Sequence, residues 1–364
     1  MIRMAVIGLG KMGLSHHAMI NAHPRVKVQA VCDSSSYVLD VLNKYTGVRT
    51  YSDYDSLLRE VELDAVIIAT PSSTHVGMVR AALERNLNVF CEKPFCLDPA
   101  DGIELTRLAD GKGLVNQVGY HNRFVGAFQE VKHLLEANAI GEVTQVQAEA
   151  YGPVVLRAKG KTWRTQSSEG GGCLYDYAAH PLNLLNWYFG APEGVGGTVL
   201  GKVFSKETDD EVLGTVFYRD GNSAQISVNW SDESYRKMTT RMTIRGTCGR
   251  IVADRQECRA YLRDTAPLPA GYQRGWNVRY TTDLTEPVWF YVRGEEYSAQ
   301  LDYFVRCIEQ RRGGDNVNSF AEATVTDRVI ALMKADADKG RSLNFDEATG
   351  AGPVKRGRLA FFSR

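Results

Sequence analysis

The chain carries no excess of either charge: 43 Lys and Arg are matched by 43 Asp and Glu across 364 residues. With no net field to gather a polyanion, nucleic acid and acidic membrane surfaces are excluded as its main partners. No apolar run approaches the roughly 18 residues of a membrane span. The N-terminal segment MIRMAVIGLG passes directly into a strand pattern without signal-peptide anatomy. Paired cysteines are missing too. Cys32, Cys91, Cys96, Cys173, Cys248, Cys258 and Cys307 are odd in number and scattered, without CxxC spacing or His/Cys clusters. That pattern argues against a disulfide framework or a metal site, and for free thiols in a reducing, cytoplasmic compartment.

What is present is a globular composition, 44% hydrophobic and 24% charged, in a chain long enough for about two domains of roughly 150 residues. Residues 1–123 alternate short β-rich runs (MAVIG, VKVQAVCD, DAVIIAT, LNVFCE, GLVNQVGY) with helical spacing such as Val76, Val79 and Leu83. Five strands, with room for a sixth, predict an α/β domain with a parallel, doubly wound sheet. Residues 124–345 read as an α+β domain. Its longer alternating strands (VTQVQAEAY, EVLGTVFYRD, SAQISVNWS, RMTIRG, GRIVAD) predict antiparallel hairpins, and helices are expected over residues 176–188, 297–310 and 321–337. The Gly-rich, basic tail at residues 346–364 is expected to be mobile or draped on the surface.

Two segments carry chemistry. The first is Gly8-Leu9-Gly10-Lys11-Met12-Gly13, placed after a strand and before a helix, where glycines let backbone approach a pyrophosphate at a helix amino end. Twenty residues after Gly13, Asp33 ends the second strand, at the spacing that brings an acid to the adenosine ribose hydroxyls. Ser34, Ser35 and Ser36 follow, and no cation appears before Lys44, so NAD is favoured and NADP remains possible. The next two strands end in Thr70-Pro71-Ser72-Ser73-Thr74-His75 and in Cys91-Glu92-Lys93-Pro94, where a cofactor would lie. There Lys93 either holds a substrate oxygen or is a solvated surface charge.

The second segment is Glu169-Gly170-Gly171-Gly172-Cys173-Leu174-Tyr175-Asp176-Tyr177-Ala178-Ala179-His180. Its glycines permit close approach to a ligand, and Asp176 and His180, four apart, share one helix face. A carboxylate beside an imidazole supports its protonated form and suits proton transfer, although a structural Asp-His pair has the same spacing.

Taken together, GLGKMG, Asp33, TPSSTH, CEKP, GYHNRF and GGGCLYDYAAH resemble the Gfo/Idh/MocA family of oxidoreductases, over roughly Met1 to Phe345 and in the family's order. The resemblance implies a Rossmann domain followed by an open, mostly antiparallel sheet domain, and hydride transfer between nicotinamide and a carbinol of a sugar, cyclitol or sugar derivative. By motif, Lys93, Asp176 and His180 correspond to the catalytic set, with His180 as acid/base and Asp176 tuning it. The implied cofactor set is Gly8, Gly10, Lys11, Met12, Gly13, Asp33, Ser34, Thr70, Pro71, Ser72, His75, Glu92 and Lys93. On the substrate side stand Tyr120, Asn122, Arg123, Trp163, Arg164 and Asn183, with Trp163 and Arg164 in a loop that closes over the site in the family.

This chain departs from the family pattern at Ala178, usually Gly, and at Asn183, commonly Asp, which bears on the substrate more than on activity. Arg157, Lys159 and Lys161 read as solvated loop charges, or as partners for a substrate phosphate or carboxylate. The family also admits a nucleotide-sugar dehydrogenase or ketoreductase, an NAD-retaining glycosidase and a non-catalytic dinucleotide-binding regulator. His16, His17, His23 and His133 have no metal-ligand spacing and read as surface histidines. A homodimer or homotetramer is expected through the open sheet at residues 212–254.

Overall fold

The computed structural model describes residues 1–340 apart from 159, 161, 220 and 291–294. The tail at 346–364, Lys159 and Lys161 lie outside the described residues. The first half forms β1 (Ile2–Ile7), α1 (Lys11–Asn21), β2 (Val26–Cys32), α2 (Ser36–Thr46), β3 (Arg49–Tyr51), α3 (Tyr54–Glu60), β4 (Ala65–Ile68), α4 (His75–Glu84), β5 (Asn88–Cys91), α5 (Pro99–Gly111) and β6 (Asn116–Val118). These strands make a parallel sheet in the order β3-β2-β1-β4-β5-β6. The sixth strand is β3, three residues long, which is too short to show a period in sequence. Strand order reverses direction between β1 and β4, and their carboxyl ends open the crevice where such sheets bind ligands.

The second half comprises α6 (Gly126–Glu136), β7 (Val143–Tyr151), α7 (Ala179–Phe189), β8 (Gly194–Gly201), β9 (Glu211–Phe217), β10 (Ser223–Asn229), β11 (Arg241–Gly246), β12 (Gly249–Ala253), β13 (Glu257–Leu262), β14 (Gly275–Tyr280), α8 (Thr281–Leu284), α9 (Glu295–Glu309) and α10 (Phe320–Lys339). Its eight-stranded sheet runs β14-β13-β12-β11-β7-β10-β9-β8. The hairpin reading holds for β9–β10 and β11–β12, but the central pair β7–β10 is parallel. The long excursion through α7, β8 and β9 returns β10 alongside β7 in the same direction. Sequence reading did not anticipate β8, because Gly194, Gly196, Gly197 and Gly201 dilute its pattern, nor the short β13 and β14.

A parallel sheet must be covered on both faces. α9 supplies part of that cover: Leu301, Phe304, Val305 and Cys307 pack with Met4, Val6, Met19 and Phe90 of the first sheet. The other core cluster runs without a break from Ile7, Val66 and Phe95 to Ile226, Trp230 and Met333, so the two sheets share one interior.

Candidate active site

The glycine turn forms the floor of the crevice. Gly8 has φ +83°, and a Cβ there would lie 2.7 Å from the Ala69 carbonyl oxygen. A Cβ on Gly13 would lie 1.7 Å from the Gly8 carbonyl oxygen, whereas one on Gly10 would meet nothing within 4 Å. Gly10 caps the amino end of α1, where Lys11 and Met12 begin the helix, and its open side leaves that end uncovered, the kind of terminus that attracts a phosphate. At the end of β2, Asp33 accepts from the Leu9 amide at 2.5 Å and from the Ser35 amide at 2.8 Å. Its carboxylate is thereby fixed at the rim beside exposed Ser34, with lone pairs left for ribose hydroxyls. Thr70, Pro71 and Ser72 form the opposite lip, and Ser73 donates to Glu169, which stitches the second domain's loop onto it.

Lys93 and Asp176 meet across the cleft. The Lys93 ammonium donates to Asp176 Oδ1 at 2.6 Å and to its carbonyl at 2.8 Å, and Arg164 Nε reaches Asp176 Oδ2 at 3.2 Å. The Arg164 guanidinium also lies 4.3 Å from the Trp163 ring centroid. Close packing explains the glycines upstream: a Cβ on Gly171 would stand 2.4 Å from the Arg164 carbonyl oxygen, and one on Gly172 the same distance from Asp209. Past them the chain makes a wide π turn, Leu174–Ala178, before α7 begins. Burial alone would push the Asp176 carboxyl up, but Lys93 and Arg164 hold it below its ordinary value.

The expected coupling of Asp176 to His180 is not what the structure contains. The carboxylate goes to the two cations, which answer a buried charge better than a neutral ring does, and His180 Nδ1 finds no hydrogen-bond partner in the protein. Burial, reinforced by the charges of Lys93 and Arg255, pushes the His180 imidazole well below its ordinary value. It is therefore neutral at neutral pH and able to accept a proton.

Other assignments change as well. Arg123 is buried at the domain seam: Nε donates to Asn183 Oδ1 at 2.8 Å and Nη1 to Glu322 at 2.7 Å. Asn183 also donates to Thr326 at 3.3 Å. A buried guanidinium must place all its donors, so this pair locks helices together instead of presenting groups to substrate. His75 is buried with Nδ1 3.0 Å from the Pro94 carbonyl and Nε2 3.1 Å from that of Thr70, and so joins two turns without facing a cofactor. Burial lowers its affinity for a proton. Glu92 is turned inward to His16 at 2.6 Å; burial works to raise its carboxyl, and His16 with Lys93 keeps it low. His16, His17 and His23 are buried, not at the surface, with His23 3.0 Å from Asp302; His133 is exposed. Tyr120 is buried edge-on to His180 at 6.2 Å between ring centroids, and Asn122 donates to Thr240 at 3.4 Å.

The partnerships of several groups around His180 carried no signal in sequence. The His121 ring lies 4.9 Å from that of His180 and stacks on Tyr297 at 4.4 Å. Arg255, from the turn between β12 and β13, pairs with buried Glu296 of α9. Their separation in the chain hides them; only the fold brings positions 121, 180, 255 and 296 together. Among the described residues no group of three or more His, Cys, Asp or Glu could hold a metal ion, and no helix is long and apolar enough to cross a membrane.

Residues 2–120 match the oxidoreductase family with an NAD-binding Rossmann fold, and residues 128–252 match the GFO/IDH/MocA C-terminal domain. The chain belongs to the Gfo/Idh/MocA family. It thus carries the NAD-binding Rossmann domain of an oxidoreductase family followed by that family's C-terminal domain. A 2,7-anhydro-N-acetylneuraminate hydratase of Escherichia coli is 28% identical over 273 residues, 72% of this chain and 70% of that one. Inositol 2-dehydrogenase of Salmonella typhimurium is 26% identical over 191 residues, 51% of this chain and 54% of that one. The chain spans about half the length of several curated relatives that it matches, an uncharacterised oxidoreductase of Schizosaccharomyces pombe among them at 54%. A levoglucosan dehydrogenase in complex with NADH superposes with a TM-score of 0.82 at 21% identity, over 93% of this chain and 97% of that one, and shares the fold.

Proposed function

We propose that the protein transfers hydride between NAD and a carbinol of a sugar, cyclitol or sugar derivative, with Lys93 and His180 on the reacting oxygen. The observation that carries this reading is the cluster at the mouth of the crevice: Lys93 held by Asp176 at 2.6 Å beside a buried, neutral His180. Bound NAD would supply the carbon that takes up the hydride. In the oxidative direction His180 accepts the hydroxyl proton, and the Lys93 ammonium stabilises the charge that develops on oxygen. Asp176, itself held by Arg164, fixes the Lys93 side chain, and Trp163 on Arg164 closes the outer side. In reduction the same groups run in reverse.

Asp33 with no cation close behind it favours NAD over NADP. Seven free cysteines support a reducing, cytoplasmic setting. Leu213, Phe217, Tyr261, Trp276, Val278 and Tyr280 are exposed on the strands of the open sheet, which favours a homo-oligomer, dimer or tetramer, through that face. Light scattering at a multiple of 40.4 kDa is the expected result. The hydratase among the relatives favours a second reading, in which oxidation is transient and hydride returns to the substrate, as in an NAD-retaining glycosidase. Convergence of Lys93, Asp176 and His180 weighs against a regulator without turnover.

The test is turnover with NAD against a panel of polyols, aldoses and nucleotide sugars. His180→Ala is expected to lower kcat by roughly a hundredfold or more with NAD affinity nearly unchanged, and Lys93→Ala to lower kcat and raise substrate KM. A His180→Ala enzyme with most of its turnover would place the base elsewhere. Stoichiometric release of NADH supports the dehydrogenase; product without NADH supports transient oxidation.

A further inference from the structure

The turn that carries Lys93 is gripped from both sides. Its carbonyls, Pro94 at 3.0 Å and Phe95 at 3.3 Å, face His75 Nδ1 within the first domain. Its amides face α10, which packs on both α5 and α7: Asp327 Oδ2 accepts from the Cys96 amide at 3.0 Å, and the Phe95 amide also donates to this carboxyl. Asp327 is buried, and its Oδ1 finds no hydrogen-bond partner in the protein. The titratable groups that face it are Cys91 of β5, Cys96 of the turn, Tyr120 after β6 and Tyr175 of the π turn. None of them is a cation. A carboxylate so placed has lost its water and gained no counter-charge, which favours the acid over the anion.

We propose that Asp327 is a positioning residue for Lys93, holding the 94–96 turn across the domain seam as an uncharged acid. The inference rests on the reading that Lys93 works on the reacting oxygen. As an acid, Asp327 satisfies two amides of the turn and leaves the seam dry. As an anion it would need water, and admitting water means parting α10 from the turn and drawing Lys93 off Asp176. Burial pushes the Asp327 carboxyl up to about 8, against the pull of the Cys96 and Phe95 amides. The seam is therefore intact at neutral pH and under strain at alkaline pH.

Asp327→Asn keeps the shape and an acceptor for the amides and cannot ionise. We expect the kcat of this variant relative to wild type, with NAD and the polyol oxidised fastest, to be near one at pH 7. By pH 9 the ratio should approach about tenfold, since a group titrating near 8 is then about nine-tenths ionised. Affinity for NAD should not differ at either pH. Melting temperature provides a readout without turnover. An acid whose folded value is raised costs stability increasingly as pH climbs from its unfolded value near 3.9, and the cost is complete above the folded value. The Asn variant should therefore gain on wild type over that range and level off above pH 8. A kcat ratio that stays the same from pH 6.5 to 9.5 would overturn the proposal. Lys93→Ala, run in parallel, separates the causes: if it keeps its turnover the Lys93 reading falls and this proposal with it, whereas a flat ratio beside an inactive Lys93→Ala overturns the positioning role alone.

Discussion

The nucleotide crevice and the reacting centre face each other across one cleft, yet they are made of different materials. The crevice is backbone: glycines at 8, 10 and 13, the amino end of α1, and one carboxylate at 33, all within a single βαβ unit. The centre is side chains: Lys93 from the first domain, Arg164 from a loop, Asp176 from a π turn, His180 from α7 and Arg255 from a sheet turn. A backbone site depends on what is absent, because any added atom collides. A side-chain site depends on charge balance among distant segments, so each member can be changed with a graded result.

The sharpest test of that contrast is Gly13→Ala, which adds one carbon where the nearest atom would be 1.7 Å away. Backbone cannot yield as a flexible side chain can, and NAD affinity should fall by at least about a hundredfold, more than 2.7 kcal/mol, as read by fluorescence titration. Gly10→Ala, with nothing within 4 Å of its Cβ, should leave the fold intact and weaken NAD much less. Equal losses at both positions would break the comparison.

Arg123→Met comes next in size, and it acts on the seam, not on the chemistry. It removes the cation from buried Asn183 and from Glu322, whose side chain still reaches solvent, so the loss is that of a buried amide's hydrogen bond and of packing, about 1 to 3 kcal/mol. Urea unfolding should show that loss while substrate KM in the folded fraction stays close to wild type. A raised KM at unchanged stability would return Arg123 to the substrate side.

In the centre, Asp176→Asn should be graded. The Asn side chain offers one acceptor oxygen where two cations had one each, so Lys93 or Arg164 is left facing an NH2 group and both lose the charge; kcat should drop by roughly ten- to a hundredfold with a smaller change in NAD affinity. The pH profile carries a second sign. His180 lies below its ordinary value, so oxidation by wild type should hold its rate as pH falls through 6.5 and lose it only lower, where the imidazole gains its proton. An acid limb centred at or above 6.5 would mean that His180 has a counter-charge in the working enzyme.

These materials also explain what could be read in sequence. The glycine turn, Asp33 and the strands β1, β2, β4, β5 and β6 were legible because each depends on neighbours within about 25 residues, the reach of local spacing. Lys93, Asp176 and His180 were legible as motif members, but their partnerships were not. Spacing by four suggested Asp176 with His180, whereas burial and charge selected Lys93 and Arg164 from other segments. Arg123 and His75 looked like ligands because they follow strand ends, and Asn183 because of its place in the family motif; hydrogen bonds within the protein took them out of the cleft. His121 was legible only as part of the GYHNRF strand end, and Tyr297, Arg255 and Glu296 had no sequence signal, since no local rule places residues 121 and 296 on one wall.

The smallest expected effect belongs to Asp33→Ala, and it tests the one charged member of the backbone site. The carboxylate is held by the Leu9 and Ser35 amides, so its geometry is set before any ribose arrives. Removing it deletes hydrogen bonds to the ribose hydroxyls and, at the same stroke, the repulsion that a 2′-phosphate would meet. The first effect weakens NAD and the second favours NADP, so the ratio of affinities should move further than either affinity alone. A shift of about tenfold, near 1.4 kcal/mol, in favour of NADP is expected from paired titrations. The Leu9 amide also loses its acceptor, and Asp33→Asn, which keeps one, separates that loosening of the glycine turn from the loss of charge. If Asn shifts the ratio as far as Ala does, charge sets the preference; if Asn behaves like wild type, the carboxylate matters chiefly as an anchor for the turn.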